Sequence, residues 1–295
     1  LMASTINNSG RISASSAVSN GGVIELVAAN VNQAGSVAAN GNGANSNGGK
    51  ITIQGENIVL ADSSATNANG SRADVKAENL AKTVIVAEKA SIDVSSTQKG
   101  NGGDINIWSS NKTTVAGTFK ATGGVLGGNG GFIETSSSGV LDILKSTVVD
   151  VSAKLGKAGS WLLDPENMVI SASTASAISS ALSTSNVTIE VKGDLTVASG
   201  AAIAPTNGAA TTLTLNATGT ITNNGTISTS DTGSLVTNSA VLSLASGSTT
   251  SANQITATAQ AVTVNGALST TGGSTGSINV TGGAIIIAGR VSSNG

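Results

Sequence analysis

Short runs in which aliphatic residues alternate with polar ones follow pairs of glycines along this chain, and the pairs recur at a fixed distance. Asn20-Gly21-Gly22 leads into Val23-Ile24-Glu25-Leu26, and Asn47-Gly48-Gly49 into Lys50-Ile51-Thr52-Ile53. Asn101-Gly102-Gly103 leads into Asp104-Ile105-Asn106-Ile107, and Asn129-Gly130-Gly131 into Phe132-Ile133-Glu134. The steps from Gly22 to Gly49 and from Gly103 to Gly131 are nearly equal, while the step from Gly49 to Gly103 is a doubled unit. A degenerate copy, Ala158-Gly159-Ser160-Trp161-Leu162, follows one repeat further on. Alternation of period two predicts strands with one buried face. Self-similarity at this period predicts turns that stack on one another.

Each strand is followed by a polar break and a second set of aliphatics. Ile51 and Ile53 precede Ile58 and Leu60, while Ile105 and Ile107 precede Val115 and Phe119. A single turn of this kind cannot close a core, because its strands have unpaired edges; stacking pairs the edges and lines the aliphatics into inner columns. Gly and Asn at the corners are expected to supply positive φ angles. The second half repeats in a shorter register, in which Leu213, Leu235, Ile255 and Ile278 each open a unit. An echo joins the halves: Ile6-Asn7-Asn8-Ser9-Gly10-Arg11-Ile12-Ser13 matches Ile221-Thr222-Asn223-Asn224-Gly225-Thr226-Ile227-Ser228. The fold expected is all-β: a right-handed parallel β-helix, or β-solenoid, of roughly a dozen turns.

One stretch departs from this pattern. Ala175, Ile178 and Leu182 fall at helical spacing, which predicts a short helix over 173–183 with Ser173 or Thr174 as its N-cap. Just before it lies Trp161-Leu162-Leu163-Asp164-Pro165, and proline lacks the amide that a central strand needs. The expected organisation is a section of 27–28-residue turns over 1–164, a joint with the helix over 165–185, and a section of 20–23-residue turns over 186–295.

Composition narrows the function classes. Aromatics are 1% of the 295 residues and charged residues 10%, with no His, Cys or Tyr and a net charge of −2. With no basic run and almost no aromatic side chain, nucleic-acid binding is not expected. No apolar stretch approaches the length of a membrane span, so membrane insertion is not expected either. Low net charge and regular aliphatic alternation separate the chain from disordered sequences of similar polarity.

The segment Gly128-Asn129-Gly130-Gly131-Phe132-Ile133-Glu134-Thr135-Ser136, with Ala158-Gly159-Ser160-Trp161-Leu162-Leu163-Asp164-Pro165-Glu166-Asn167, resembles the filamentous-haemagglutinin-like exoproteins of Gram-negative bacteria. That group includes the high-molecular-weight adhesins. The Trp-Leu-Leu-Asp-Pro block carries the resemblance over about 60 residues, and the flanking repeats match only in style. The resemblance implies a secreted or surface-attached adhesin that leaves the cell by two-partner secretion through an outer-membrane β-barrel transporter. It implies a partner such as a surface receptor or matrix polysaccharide, without naming one. The family's amino-terminal secretion domain, with its Asn-Pro-Asn-Gly type motif, has no counterpart here. The chain is therefore expected to be an interior shaft segment of a longer protein, or else a subunit that self-associates end to end in a filament.

Candidate chemistry is sparse. Many parallel β-helices cleave acidic polysaccharides with clustered carboxylates. Asp142, Asp150, Asp164 and Glu166 are the closest set, but Asp142 and Asp150 alternate with aliphatics as outward strand residues do, and there is no His. No catalytic, cofactor or metal residues are expected. Asn101-Gly102-Gly103-Asp104 lacks the full calcium-binding nonapeptide, and reads as a turn with one solvated Asp. Trp108 and Trp161 are the two candidate sugar-stacking residues, with Trp161 expected to face outward or to lie as a lid over the joint. Repeated Thr-x-Thr could form flat ladders, although it does not recur at one place in each turn. Seven Asn-x-Ser/Thr sequons are possible glycosylation sites: Asn7, Asn69, Asn111, Asn186, Asn216, Asn224 and Asn279.

Overall fold

The computed structural model describes residues 3–16, 21–41, 48–69, 74–77, 81–271 and 275–293. The chain is an all-β parallel β-solenoid of about 10 turns, with a single short helix among the described residues, somewhat fewer turns than the dozen expected. It divides into two compact units, Leu1–Leu162 and Leu163–Gly295.

In the first unit a full turn contributes three strands, as in Asp104–Ser109, Lys112–Val115 and Thr118–Lys120. Each strand pairs in parallel with its counterpart one turn on, so the inner columns are read directly from the register. One column runs Ile12, Val37, Thr66, Ile92, Phe119, Val149. Another places Ile105 on Ile133, and a third runs Val31, Ile58, Val84, Thr113. Most members are buried, and each apolar one contributes about 1.5–3 kcal/mol by leaving water, before ordering entropy is subtracted. Thr66 sits inside its aliphatic column with a buried hydroxyl that has no hydrogen-bond partner.

The doubled interval holds one further turn. Its strand Asp74–Ala77 pairs with Lys50–Gln54 on one side and Asp104–Ser109 on the other. That turn lacks the Asn-Gly-Gly signature, which is why the sequence shows a doubled unit there.

The glycine pairs work differently from the expectation. Asn20 and Asn47 lie outside the described residues. None of the described motif glycines has a positive φ; among the described residues those conformations belong to Gly100, Gly127, Gly128, Gly200, Gly247 and Ser63. The second glycine is required for close approach instead. A Cβ on Gly131 would fall far inside van der Waals contact with the Gly103 carbonyl oxygen of the preceding turn, and one on Gly159 would meet Gly131 in the same way. The second glycine's N–H also closes its own corner: Gly131 donates to Ala121 O at 2.7 Å and Gly49 to Ala39 O at 2.6 Å. The motif asparagine links neighbouring turns. Asn101 Oδ1 accepts from Asn129 N at 2.8 Å, and Asn129 Oδ1 accepts from Lys157 N at 2.9 Å.

In the second unit Val187 still pairs with Leu213 at nearly the spacing of the first unit, so the shorter repeats begin only beyond Thr212–Ala217. From there Leu213, Leu235, Ile255 and Ile278 form one inner column and Leu195, Ile221, Leu242, Val262 another. The helix spans Ala172–Leu182, one residue earlier than expected. Its N-cap is Ser171, not Ser173 or Thr174. Ser171 is the last extended residue, and its Oγ accepts from Thr174 N at 3.2 Å. Ala175, Ile178 and Leu182 all face inward, as their spacing predicts. The helix follows Met168–Ile170 and packs against Ala202–Ile203 of the next turn, where Ser179 Oγ accepts from Ala204 N at 2.8 Å.

The echo between the halves is a shared turn. Asn8 Oδ1 accepts from Gly10 N at 3.2 Å, and Asn223 Oδ1 accepts from Gly225 N at 2.9 Å. Asn223 is fully buried between Val197 and Leu244 in an inner column, and its Nδ2 donates to Thr249 O and Thr250 Oγ1. A polar side chain is tolerated there because all its hydrogen-bonding capacity toward the turn is used.

Candidate functional site

Inward aliphatics leave an outer face of Thr, Asn, Ser and a few charges. In the second unit Glu190, Asn216, Asn238 and Thr258 lie in register across four turns. Beside this row, where the strands Asn186–Val191 and Thr212–Ala217 end, the face sinks into a groove. Glu190, Asn216, Thr218, Asn238 and Gln260 supply its polar lining, over Val191, Ala217, Ser239 and Ala240. Asn238 Nδ2 donates to Asn216 Oδ1 at 2.9 Å, so the two amides are held as a ladder. Thr218 Oγ1 donates to the Lys192 carbonyl, and Ser239 Oγ is buried without a partner.

This lining offers amides, a hydroxyl and one carboxylate. Such groups can hydrogen-bond a hydroxyl-rich chain. With one carboxylate and no His, they do not form a pair for proton transfer. As a unit the groove is not visible along the sequence. Its signal was Asn216 and Asn238, which become neighbours only once the register of the shorter repeats is known.

Trp161, Leu162, Leu163, Asp164 and Pro165 all fall within the strand Ser160–Pro165. Contrary to the outward or lid position expected of it, Trp161 is 0% exposed, and its Nε1–H donates to Thr135 Oγ1 at 2.9 Å. It cannot stack a sugar. Trp108 is half-buried on Asp104–Ser109. Leu163 and Pro165 are buried, while Leu162 and Asp164 are half-buried. Pro165 is the last residue of its strand rather than an interior one. Burial raises the Asp164 carboxyl above its ordinary value; Lys192 opposes the shift and Glu166 adds to it.

Asp142 and Asp150 are engaged locally and on separate strands, and Glu166 is exposed in the bend after Ser160–Pro165. Asp142 Oδ2 lies 2.6 Å from Lys112 Nζ, and Asp150 Oδ1 accepts from Ser152 N at 3.0 Å. Among the described residues no three acidic side chains gather as metal ligands would. Asp104 is an exposed residue at the start of its strand. The Thr columns are short: Thr188 pairs with Thr214, and Val236 then interrupts.

The sequons are scattered over the surface. Asn7, Asn111, Asn224 and Asn279 are exposed, whereas Asn69, Asn186 and Asn216 are half-buried. Asn186 Oδ1 accepts from Thr212 N, and Asn216 belongs to the groove ladder.

Fold and surface together define a repeat protein of parallel β-solenoid class with a polar outer face. No protein-family model and no curated protein matches the chain at a significant level.

Proposed function

We propose that the chain is a shaft segment of a large secreted bacterial surface adhesin, and that its work is mechanical and interfacial rather than catalytic. The observation that supports this reading best is the uninterrupted parallel pairing from turn to turn within each unit, with aliphatics inside and registered amides outside. Extension of such a stack meets many hydrogen bonds at once. Its repeated polar surface suits weak contacts made in number with a receptor or matrix polysaccharide. The Trp-Leu-Leu-Asp-Pro resemblance adds the export route, through an outer-membrane barrel transporter.

An antibody raised against the chain tests the reading on intact, unpermeabilised cells of the source bacterium. Surface labelling that protease treatment removes is the expected outcome. Labelling only after permeabilisation would reject it. Sedimentation of the purified chain separates the second reading: a monomer supports the shaft, and spontaneous filaments would replace it with the stacking subunit.

A further inference from the structure

Six Asn-Gly pairs fall wholly within the described residues: 40–41, 101–102, 129–130, 207–208, 224–225 and 265–266. Asn-Gly is the dipeptide most open to spontaneous deamidation. The glycine nitrogen attacks the Asn Cγ, the new C–N bond closes a five-membered imide, and the Cγ–Nδ2 bond breaks. The proton lost from the glycine N–H leaves with ammonia, and water then opens the imide to aspartate or isoaspartate. The reaction needs a glycine N–H that is free to lose its proton, and a backbone free to rotate.

Five of the six pairs deny it that freedom. Gly41 N donates to Asn69 O, Gly102 N to Asn129 O and Gly130 N to Lys157 O, each at 2.9 Å. Gly266 N donates to Leu244 O at 3.1 Å, and Gly225 N to Asn223 Oδ1 at 2.9 Å. Attack there must first break a bond that holds neighbouring turns together or, at Gly225, one that closes its own turn. Gly208 differs. Among the described residues its N–H has no hydrogen-bond partner, Asn207 and Gly208 are exposed, and nothing lies within 4 Å of where its Cβ would stand.

We infer that Asn207 is a built-in deamidation site, and that its conversion loosens the loop from the helix. Asn207 Nδ2 donates to Ser183 O at 2.9 Å, at the C-cap of the helix Ala172–Leu182. The same loop is tied down by Ala204 N on Ser179 Oγ and by Thr211 Oγ1 on Leu182 O at 2.6 Å. A carboxylate at 207 has no proton to donate to Ser183 O. It also places negative charge beside the negative end of the helix dipole. An attractive contact thereby becomes a repulsive one, with no enzyme involved.

The test is peptide mapping by mass spectrometry after incubation of the folded protein at mildly alkaline pH, with a urea-unfolded sample alongside. Asn207 is expected to gain about one dalton at least about tenfold faster than the other five pairs in the folded protein, and at a similar rate to them in urea. Gly208→Ala should slow the reaction about tenfold, because imide closure exploits glycine's backbone freedom. Deamidation at any of the five ladder pairs as fast as at Asn207 in the folded state would overturn the assignment, as would an unchanged rate in Gly208→Ala. Asn207→Asp serves as the product mimic. Hydrogen exchange at the Ala204 amide should quicken several-fold, and unaltered exchange would refute the loosening.

Discussion

The indole N–H of Trp161 donates to the hydroxyl of Thr135, one turn earlier in the chain, and both side chains are fully buried. The largest side chain in the interior is thus fixed by one polar contact to its neighbouring turn. Trp161→Phe keeps most of the packing but leaves the Thr135 hydroxyl without its donor. It is expected to cost about 1–3 kcal/mol. Trp161→Ala should cost about 3–5 kcal/mol through the cavity it opens. Urea unfolding followed by circular dichroism measures both, and a double-mutant cycle with Thr135→Val should show the pair to be coupled. Strict additivity would contradict the bond.

Two glycine substitutions should act in opposite directions. Gly131→Ala forces a Cβ against the Gly103 carbonyl, a backbone atom that cannot swing aside. A loss of about 1–3 kcal/mol or more is expected, up to failure to fold. Gly208→Ala meets nothing and has no positive φ, so it should gain about 0.4–1 kcal/mol by restricting the unfolded chain. Thermal midpoints of the two variants, measured side by side, decide the matter.

Asp164 gives a pH signature. Desolvation raises its carboxyl pKa in the folded state, so the fold holds that proton more tightly than the unfolded chain does. The resulting stabilisation is complete below the ordinary carboxylate value and is lost as pH rises through the raised one. Asp164→Asn should therefore exceed the parent in stability near pH ~7 and match it near pH ~3. A stability difference of the same size at both values would show that the carboxyl's charge is not the cause.

Asn223→Ala removes three hydrogen bonds from an inner column and strands the Gly225 N–H. A loss of about 1–3 kcal/mol is expected. Asn8→Ala, at the matching turn, is partly exposed and should lose less. Equal losses would mean that burial is not what makes the turn costly to break.

The strands, their parallel stacking and the helix are legible in the sequence because each rests on a local period: two for Ile105 and Ile107, three to four for Ala175, Ile178 and Leu182. The N-cap is not, because Ser171, Ser173 and Thr174 are all good caps and only the backbone of Ser171 decides among them. The inward side of Trp161 escapes a local reading because it depends on strand phase, which Leu163 shares. The groove can be read only once the register is known. Its walls come from four turns, so Glu190, Asn216 and Asn238 meet only through the register. The meaning of the motif glycines is hidden for a similar reason, since the atom that demands them belongs to another turn.

Asp104 stands on Phe132, and the corners before both carry the same Asn-Gly-Gly. Removing 104–131 would therefore join one corner to a strand start already shaped for it, and duplicating that stretch would do the same. Unequal recombination between such copies can shorten or lengthen the gene while the Gly103 carbonyl still finds a glycine, Gly159 in place of Gly131, in the next turn. Length, in a chain built this way, is a heritable variable that can drift without a passage through misfolded intermediates.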